Sequence, residues 1–430
     1  MRLNVNPSGA GAAVAITSVS LLTDILELIR SGVATTRLEL AEQTRLGRGV
    51  ISRRLTELVD CQLVAFGEAG PSSGGRSPRE LRFRSETGRI LVGTLGATSA
   101  TAAITDLAGD VLAKDERPWR IEHGPERTFA LVREMWANLT HGNASDTEPV
   151  WGIGIGVPGP VDFDTGRPAS PPIMPGWDDF PIREELADEF GAPVWVDNDA
   201  NLMALGELRA GTARGERDAV FVKIGTGIGS GLIIGGSIHR GVHGSAGDIG
   251  HIPVVDDTNR PCRCGRHGCL EALAGGAAIA REAEQMAADG RSPYLAEMRH
   301  RGAELRAEDV TEAAHRGDQA CIQLLSVVGK MVGESLATVV NLVNPSLLVL
   351  GGGVTGAGDA LLASIRQGIY FRSSPLASRD LRIVRSELGN LGAAIGAAHM
   401  VADELFRHQC LARWIGDGSP VGRVDLATAV

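Results

Sequence analysis

Three cysteines and one histidine stand close enough in the sequence to bind one metal ion. They are Cys262, Cys264 and Cys269, preceded by His251. Three thiolates and one imidazole complete the tetrahedral shell of a structural zinc ion and leave no open position for a reactive water. Clustered cysteines in a cytosolic chain indicate metal binding rather than disulfides. We therefore predict a structural zinc site; the alternatives are three buried free thiols, or His267 as the nitrogen ligand in a tighter geometry.

Two further loops carry residues that can bind a phosphate or a sugar. The glycine-rich stretch over 225–231 follows the strand-like FVKI, and its backbone amides can approach a phosphate, although a plain hairpin turn is an equal alternative. The sequence DNDAN over 197–201 lies where a strand leads into a helix. Its carboxylates and amides can bind sugar hydroxyls, with Asp199 as acceptor of a hydroxyl proton, or can cap the helix.

The first part of the chain has the pattern of a winged helix-turn-helix. Apolar spacing predicts helices over 19–30, 37–44 and 48–59, and alternating residues over 63–66 and 81–84 predict a hairpin wing. In such a unit the helix after the turn enters the major groove of DNA. The predicted DNA-binding residues are Arg48, Ser52, Arg53 and Arg54 on this helix and Arg76 in the wing. The alternative is a solvated basic helix in a protein-binding winged helix.

The distribution of charge supports the DNA-binding interpretation. Although the whole chain has a net charge of −10, residues 1–85 hold eleven arginines against eight acidic residues, and the remainder carries −13. Any nucleic-acid contact therefore belongs to the N-terminal part.

The remaining sequence predicts an α/β architecture. Short apolar strands begin near Arg89 and alternate with helices, and 430 residues suffice for two or three domains. We predict a winged helix over 1–88, a sensor domain over 89–405 and a C-terminal tail over 406–430; the residues after Met400 look like a terminal helix followed by a weakly ordered tail. No apolar run is long enough to span a bilayer, so we expect a cytoplasmic protein with no membrane partner.

Together these motifs resemble the ROK family of repressors, open reading frames and sugar kinases. The matching pieces are IGTGIGSGL from Ile224, CRCGRHGCLE from Cys262, NDAN from Asn198, VPGPVD from Val157 and LGGGV from Leu350. The resemblance implies a two-lobed, actin-like (ribonuclease-H-like) fold of the sugar-kinase type with the sugar in the cleft. The implied sugar-binding residues are Gly159, Asn198, Asp199, Asp248, His251 and Glu271. His251 would also ligate zinc, and Asp248 stands where the family usually has Glu.

One departure from the family pattern argues against catalysis. Family kinases resemble DxGGTK in the first hairpin, where this chain has Thr94, Ala97 and Ser99 at the positions of the Asp, the second Gly and the Lys. A carboxylate there would help to hold the magnesium on which phosphoryl transfer depends. We therefore expect no catalytic residue, with Asp199 as a vestigial base, and no use of ATP.

The resulting hypothesis is a sugar-responsive regulator, most simply a repressor of carbohydrate-metabolism genes. Its winged helix would bind a pseudo-palindromic double-stranded operator as a homodimer or homotetramer, and a sugar or sugar derivative in the cleft would change that affinity. One alternative is an ATP-dependent, glucokinase-like sugar kinase with a fused DNA-binding domain. A third is an activator, or a regulator controlled by protein partners.

Overall fold

The N-terminal unit consists of three helices and a hairpin. The computed structural model describes residues 8–69, 79–140, 148–256, 259–357 and 359–428. The elements of this unit are α1 (Ser8–Arg30), α2 (Arg37–Thr44), α3 (Arg48–Asp60), β1 (Val64–Ala69) and β2 (Arg79–Phe83). A capping box begins α2, in which the Thr36 hydroxyl accepts from the Glu39 amide while the Glu39 carboxylate accepts from the Thr36 amide. The predicted helices and hairpin are confirmed, except that α1 starts at Ser8 because its alanine-rich first part also favours a helix.

The first lobe is a five-stranded sheet with helices on both faces. Its elements are β3 (Arg89–Leu95), β4 (Ser99–Thr105), β5 (Val111–Pro118), α4 (Pro125–Thr140), β6 (Val150–Val157), β7 (Val161–Asp162), β8 (Arg167–Pro168), α5 (Ile182–Phe190) and β9 (Val194–Asn198). The sheet order is β5-β4-β3-β6-β9. The β3 strand pairs antiparallel with β4 and parallel with β6, and β9 extends the parallel side.

The second lobe repeats this sheet. The remaining elements are α6 (Asp199–Ala210), β10 (Ala219–Ile224), β11 (Ile228–Ile234), β12 (Ser237–His239), α7 (Leu270–Ala274), α8 (Gly276–Ala288), α9 (Pro293–His300), α10 (Ala307–His315), α11 (Gln319–Val343), β13 (Leu347–Gly351), α12 (Asp359–Arg372), α13 (Pro375–Ser378), β14 (Arg382–Arg385), α14 (Leu391–Phe406) and α15 (His408–Trp414). The order β12-β11-β10-β13-β14 has the same antiparallel and parallel halves as the first sheet. The predicted two-lobed, actin-like α/β fold is confirmed.

Helices α6 and α14 cross between the two sheets with their backbones in contact. α14 lies on strands of the first sheet and α6 on β10 and β11 of the second. A Cβ at Gly206 would overlap the carbonyl of Gly392, and a Cβ at Gly396 would overlap the carbonyl of Leu202. Because close-packed backbones resist deformation, we treat these helices as one rigid pair.

One long helix has the composition of a membrane span but occupies the core of the second lobe. α11 is 25 residues long and apolar enough to cross a bilayer. Its side chains at Leu325, Val332 and Leu336 are fully buried, and the helix packs along α12. Burial in this lobe accounts for the apolar side chains on that face of the helix.

The predicted helical end of the chain is present, but the weakly ordered tail predicted after it is wrong for the described residues up to 428. After α14 the chain forms α15 and two short 3-10 turns. Trp414 is fully buried, donates its indole N–H to the Leu405 carbonyl at 2.9 Å, and stacks edge-on to Trp151 with ring centroids 5.4 Å apart. Together with Leu426 these side chains join the core of the winged helix, because α1 packs directly on α15.

Candidate functional site

A cleft of about 320 Å³ lies between the lobes and collects the residues implied by the resemblance. This volume is at the lower end of the range for small-molecule pockets. The predicted sugar residues that line it are Gly159, Asn198, Asp199, Asp248, His251 and Glu271. They come from the loops that follow β6 and β12, from the end of β9, from the first residue of α6 and from the start of α7. The structure therefore brings all six positions to one cavity.

Asn198 has a local structural task as well as a place in the cleft. Its side-chain oxygen accepts from the Ala200 amide at 2.9 Å, which caps α6. Its side-chain amide donates to the Gly159 carbonyl at 3.0 Å and fixes the loop after β6. The capping and the ligand-binding interpretations of this residue are therefore compatible.

Beside Asn198, a buried carboxylate connects the two lobes. Asp197 accepts from the Asn198 amide and from the Asn201 side chain, while its second oxygen accepts from Arg240 Nε at 2.7 Å. The Arg240 guanidinium also lies 3.8 Å from the ring centroid of Phe163. Since Arg240 follows β12 of the second lobe, this ion pair holds the lobes together directly behind the cleft.

Asp199, the vestigial base candidate, is paired with a cation. Lys223 of β10 donates to its Oδ2, and the Asp199 side chain is only 10% exposed. Lys223 is one of three lysines in the chain and also lines the cleft. A ligand hydroxyl that binds Asp199 has to share this carboxylate with the ammonium group.

Glu271 occupies a space that a glycine leaves open. Its Oε2 accepts from the Ile228 amide at 3.1 Å, and a Cβ at Gly227 would overlap the same oxygen. The glycine at 227 is therefore needed to seat a carboxylate that lines the cleft. This contact is a specific reason for one of the glycines in the glycine-rich turn.

The other half of the cleft contains the turn between β3 and β4 and a further carboxylate. Thr94, Ala97 and Ser99 all line the cavity, and the Gly96 amide donates to the Ser99 carbonyl at 2.8 Å to close the turn. Across from them, a Cβ at Gly353 would lie 2.7 Å from Glu308 Oε1. This half of the cleft therefore presents hydroxyl groups and an additional negative charge.

The predicted metal ligands form one cluster with dimensions that suit zinc. The ligand atoms of His251, Cys262, Cys264 and Cys269 all lie within 4.8 Å of one another. Sγ of Cys264 is 3.8 Å from Sγ of Cys269, and His251 Nδ1 is 3.5 Å from Sγ of Cys262. A zinc tetrahedron with its usual bond lengths has edges of about 3.8 and 3.5 Å for these atom pairs. The residues present fit a closed metal site.

Hydrogen bonding favours a thiolate within this cluster. Burial disfavours the charged form of Cys264, but hydrogen bonds from the Arg266 backbone and side chain and from the thiols of Cys262 and Cys269 outweigh it and lower the pKa of this thiol to about 7. The rival ligand His267 is not in the cluster; its side chain is exposed.

The recognition helix α3 presents only part of the predicted DNA-binding set. Arg48 and Arg53 are exposed and Ser52 is half-buried. The prediction that Arg54 contacts DNA is wrong, because this side chain is buried on the inner face of α3 and pairs with Glu57 at 2.5 Å. Arg76 lies outside the described residues.

Two wing arginines are partly neutralised. Arg82 and Arg84 both pair with Glu86, at 2.9 and 3.3 Å. The hydrogen bond from Arg82, together with those from the Glu86 backbone and Arg84, lowers the pKa of the Glu86 carboxyl to about 2, despite its partial burial. Exposed Arg45, at the left-handed C-cap of α2, is a cation next to α3 that the sequence analysis did not single out.

A comparison with protein families identifies the two-lobed part of the molecule. A model of the ROK family matches residues 93–404, which is well over half of the chain. The chain belongs to the ROK family. The ROK match begins within β3 and ends within α14, so it covers both lobes and leaves out the winged helix.

Relatives within the ROK family fall into two groups. A glucokinase from Halalkalibacterium halodurans is 33% identical over 72% of this chain and 94% of its own. A xylose repressor from Caldicellulosiruptor bescii is 26% identical over 89% of this chain and 95% of its own. The crystal structure of a ROK family transcriptional regulator, a homologue of the E. coli MLC protein, matches with a TM-score of 0.80 and 26% identity, covering 94% of this chain and 100% of the other. The similarity to the regulators therefore covers a larger fraction of this chain than the similarity to the glucokinase does.

Proposed function

We propose that this ROK protein is a sugar-responsive transcriptional repressor. The observation that carries the proposal is the extent of similarity to regulators, which spans nearly the whole chain, winged helix included. A fold alone does not establish a function, so the argument also depends on the chemistry of the cleft and of α3.

In this proposal the cleft binds a sugar or sugar derivative. The carboxylates of Asp199, Asp248 and Glu271 accept hydrogen bonds from ligand hydroxyls, which are stronger than bonds between neutral groups. Asn198 and Gly159 form the wall against which the sugar ring lies, because they are tied to each other at 3.0 Å. His251 faces the thiols with Nδ1, which leaves its other nitrogen for the ligand.

Zinc bound by His251, Cys262, Cys264 and Cys269 would have a structural role. It would hold the segment between β12 and α7 and fix the ring of His251 beside the cleft, since a metal restrains the orientation of its ligands. A site with four protein ligands has no position for an activated water, so we assign it no catalysis.

Three features support a sensor without kinase activity. Thr94 lacks the carboxylate that would help to place magnesium. Lys223 donates to one oxygen of Asp199 and neutralises this base candidate. Glu308 adds negative charge near Gly353, in the half of the cleft where a kinase would have to bind the phosphates of a nucleoside triphosphate. We infer that ATP is not a cofactor.

Operator binding is assigned to α3. Arg48 and Arg53 project into solvent and can reach guanine edges or phosphates, and Ser52 can contact a phosphate. Helix-turn-helix proteins commonly bind two half-sites as dimers, so we propose a homodimer or homotetramer on a pseudo-palindromic operator in the cytoplasm.

The experiment that tests the proposal uses purified full-length protein and a panel of D-glucose, D-xylose and N-acetyl-D-glucosamine. A duplex selected by the protein from a random-sequence library serves as operator. We expect one of the sugars to change the affinity for that duplex, and coupled ADP release with ATP to stay far below the roughly 1–100 per second of kinases. Kinase-like turnover would instead favour the alternative of a glucokinase-like enzyme. The 33% identical glucokinase is the reason to test that alternative.

A further inference from the structure

A single carboxylate joins the winged helix to the helix that begins in the cleft. Asp403 of α14 accepts from Arg209 Nη2 through Oδ2 at 2.6 Å and pairs with Arg30 Nη2 through Oδ1 at 3.4 Å. Arg209 belongs to the last turn of α6, whereas Arg30 is the last residue of α1. The two oxygens of Asp403 are thus divided between the sensor and the DNA-binding unit.

The Arg30 side chain is enclosed at this junction. It is 10% exposed, and its guanidinium carbon lies 4.6 Å from the ring centroid of Phe406 and 5.8 Å from that of Phe83. Glu27, on the same helix, is 3.2 Å away. A cation held between aromatic faces is largely withdrawn from water, so its interaction with Asp403 is screened less than that of a surface pair.

α6 connects this junction to the cleft. Its first residue is Asp199 and its last turn contains Arg209; its 12 residues span about 18 Å. Residues 199–208 are buried, and the glycine contacts at Gly206 and Gly396 bind α6 to α14. A displacement of α6 at the cleft therefore moves α14 with it, and Arg209 keeps Asp403 oriented as the pair moves.

We propose that Asp403 is the positioning residue through which ligand binding in the cleft changes the placement of the winged helix. The proposal rests on the proposed sugar response and adds the route by which it acts. Ligand binding shifts the α6–α14 pair against α1, and the Asp403–Arg30 ion pair is made in one state and weakened in the other. A ligand can shift such an equilibrium only by its different affinity for the two states, and Asp403 makes the winged helix part of that difference.

The test measures coupling rather than binding. For each protein, the dissociation constant of the selected duplex is determined with and without a saturating concentration of the panel sugar that alters it in wild type. The ratio of these two constants is the measure of coupling. Allosteric couplings typically change affinity about 5- to 150-fold. We expect Asp403→Asn to bring this ratio close to 1 while the sugar dissociation constant stays within about twofold, because Asp403 touches neither ligand. Glu189→Gln, which removes the carboxylate of an exposed pair with Arg133 on the first lobe, is the matched control and should keep the wild-type ratio.

A second variant separates a loss of this relay, the coupling of cleft and winged helix through the Asp403–Arg30 ion pair, from a loss of folding. Arg30→Met should also reduce the ratio, and the double variant Asp403→Asn/Arg30→Met should reduce it no further than either single change, because both remove one interaction. Retained sugar affinity in each variant shows that the sensor is folded. Asp403→Asn with the full wild-type ratio would overturn the relay and leave the sugar response standing. A wild-type ratio of 1 for every sugar of the panel would overturn the proposed function, and the relay with it.

Discussion

The ammonium group of Lys223 is paired with the carboxylate of Asp199 at the floor of the cleft. The two residues come from different elements, β10 and the first turn of α6. In a kinase, a carboxylate at this position would have to accept a proton from the sugar, whereas here it is neutralised by a cation of the same chain. The pair therefore fits a site that binds a hydroxyl without activating it.

This ion pair should stabilise the protein in a way that depends on both partners. Lys223→Met leaves the Asp199 carboxylate, 10% exposed, without its cation, so we expect a loss of about 1–3 kcal/mol of unfolding free energy. Asp199→Asn in the Lys223→Met background should restore part of that loss, since the uncompensated charge is then gone. Chemical denaturation of the wild type, both single variants and the double variant measures the coupling; independent, additive effects would contradict the pairing.

Purified protein should contain about one zinc ion per chain. Cys264→Ser removes one of four ligands, and we expect lower zinc content together with a lower unfolding temperature, because metal binding and folding are linked. Cys61→Ser changes a half-buried thiol outside the cluster and should retain the metal. Elemental analysis provides the measurement, and wild-type protein free of zinc after purification without chelator would refute the assignment.

DNA binding should depend on the exposed side of α3. Arg48→Ala with Arg53→Ala should weaken operator binding at least tenfold and flatten its salt dependence, because each lost base or phosphate contact costs affinity and fewer counterions are released. Arg301→Ala, at an exposed arginine of the second lobe, is the control.

Arg54→Ala should act differently from these two changes. This side chain is buried and paired with Glu57, so its loss should chiefly lower the stability of the winged helix. Fluorescence anisotropy with a labelled duplex over a range of salt concentrations distinguishes these outcomes. Unchanged operator affinity in the Arg48→Ala/Arg53→Ala protein would show that α3 is not the recognition helix.

Stability should fall in mild acid because of His399. Burial, together with the nearby charges of Arg209 and Arg30, outweighs the opposing charge of Asp403 and holds the pKa of this imidazole at about 4, below its ordinary value of 6.5. Between these values the unfolded chain binds a proton that the folded protein does not, so lowering the pH from 6.5 to 4 should cost up to about 3 kcal/mol. His399→Gln should flatten this part of the stability profile, as measured by denaturant midpoints at successive pH values. An equally steep profile in the variant would assign the acid sensitivity to other groups.

Local patterns predicted the elements of the fold well. The spacing of apolar residues located α2 and α3 within one residue, and the family resemblance supplied the cleft residues. Arg54 could have been recognised as buried, because it lies one turn after Ile51 and one turn before Leu58 on the inner face of α3. The apolar spacing of Leu411 and Trp414 likewise indicated that packed helical structure extends past residue 406.

Long-range pairs could not be found in this way. Lys223 with Asp199, Arg240 with Asp197 and Arg30 with Asp403 join residues that are 24, 43 and 373 positions apart. Each pair depends on the packing of the two lobes or of the winged helix, and nothing in the local sequence marks its members. The electrostatics of the site and its connection to α1 therefore became visible only in three dimensions.

The measurement that tests the central claim most directly is operator affinity with and without saturating sugar in the wild type, Asp199→Ala and Glu271→Ala proteins. Each change removes a hydroxyl acceptor from the cleft, while α3 lies in a separate unit. We predict that the sugar changes the wild-type affinity, and that both variants bind the operator normally but no longer respond. Variants that keep the full wild-type response would show that this cleft is not the sensor.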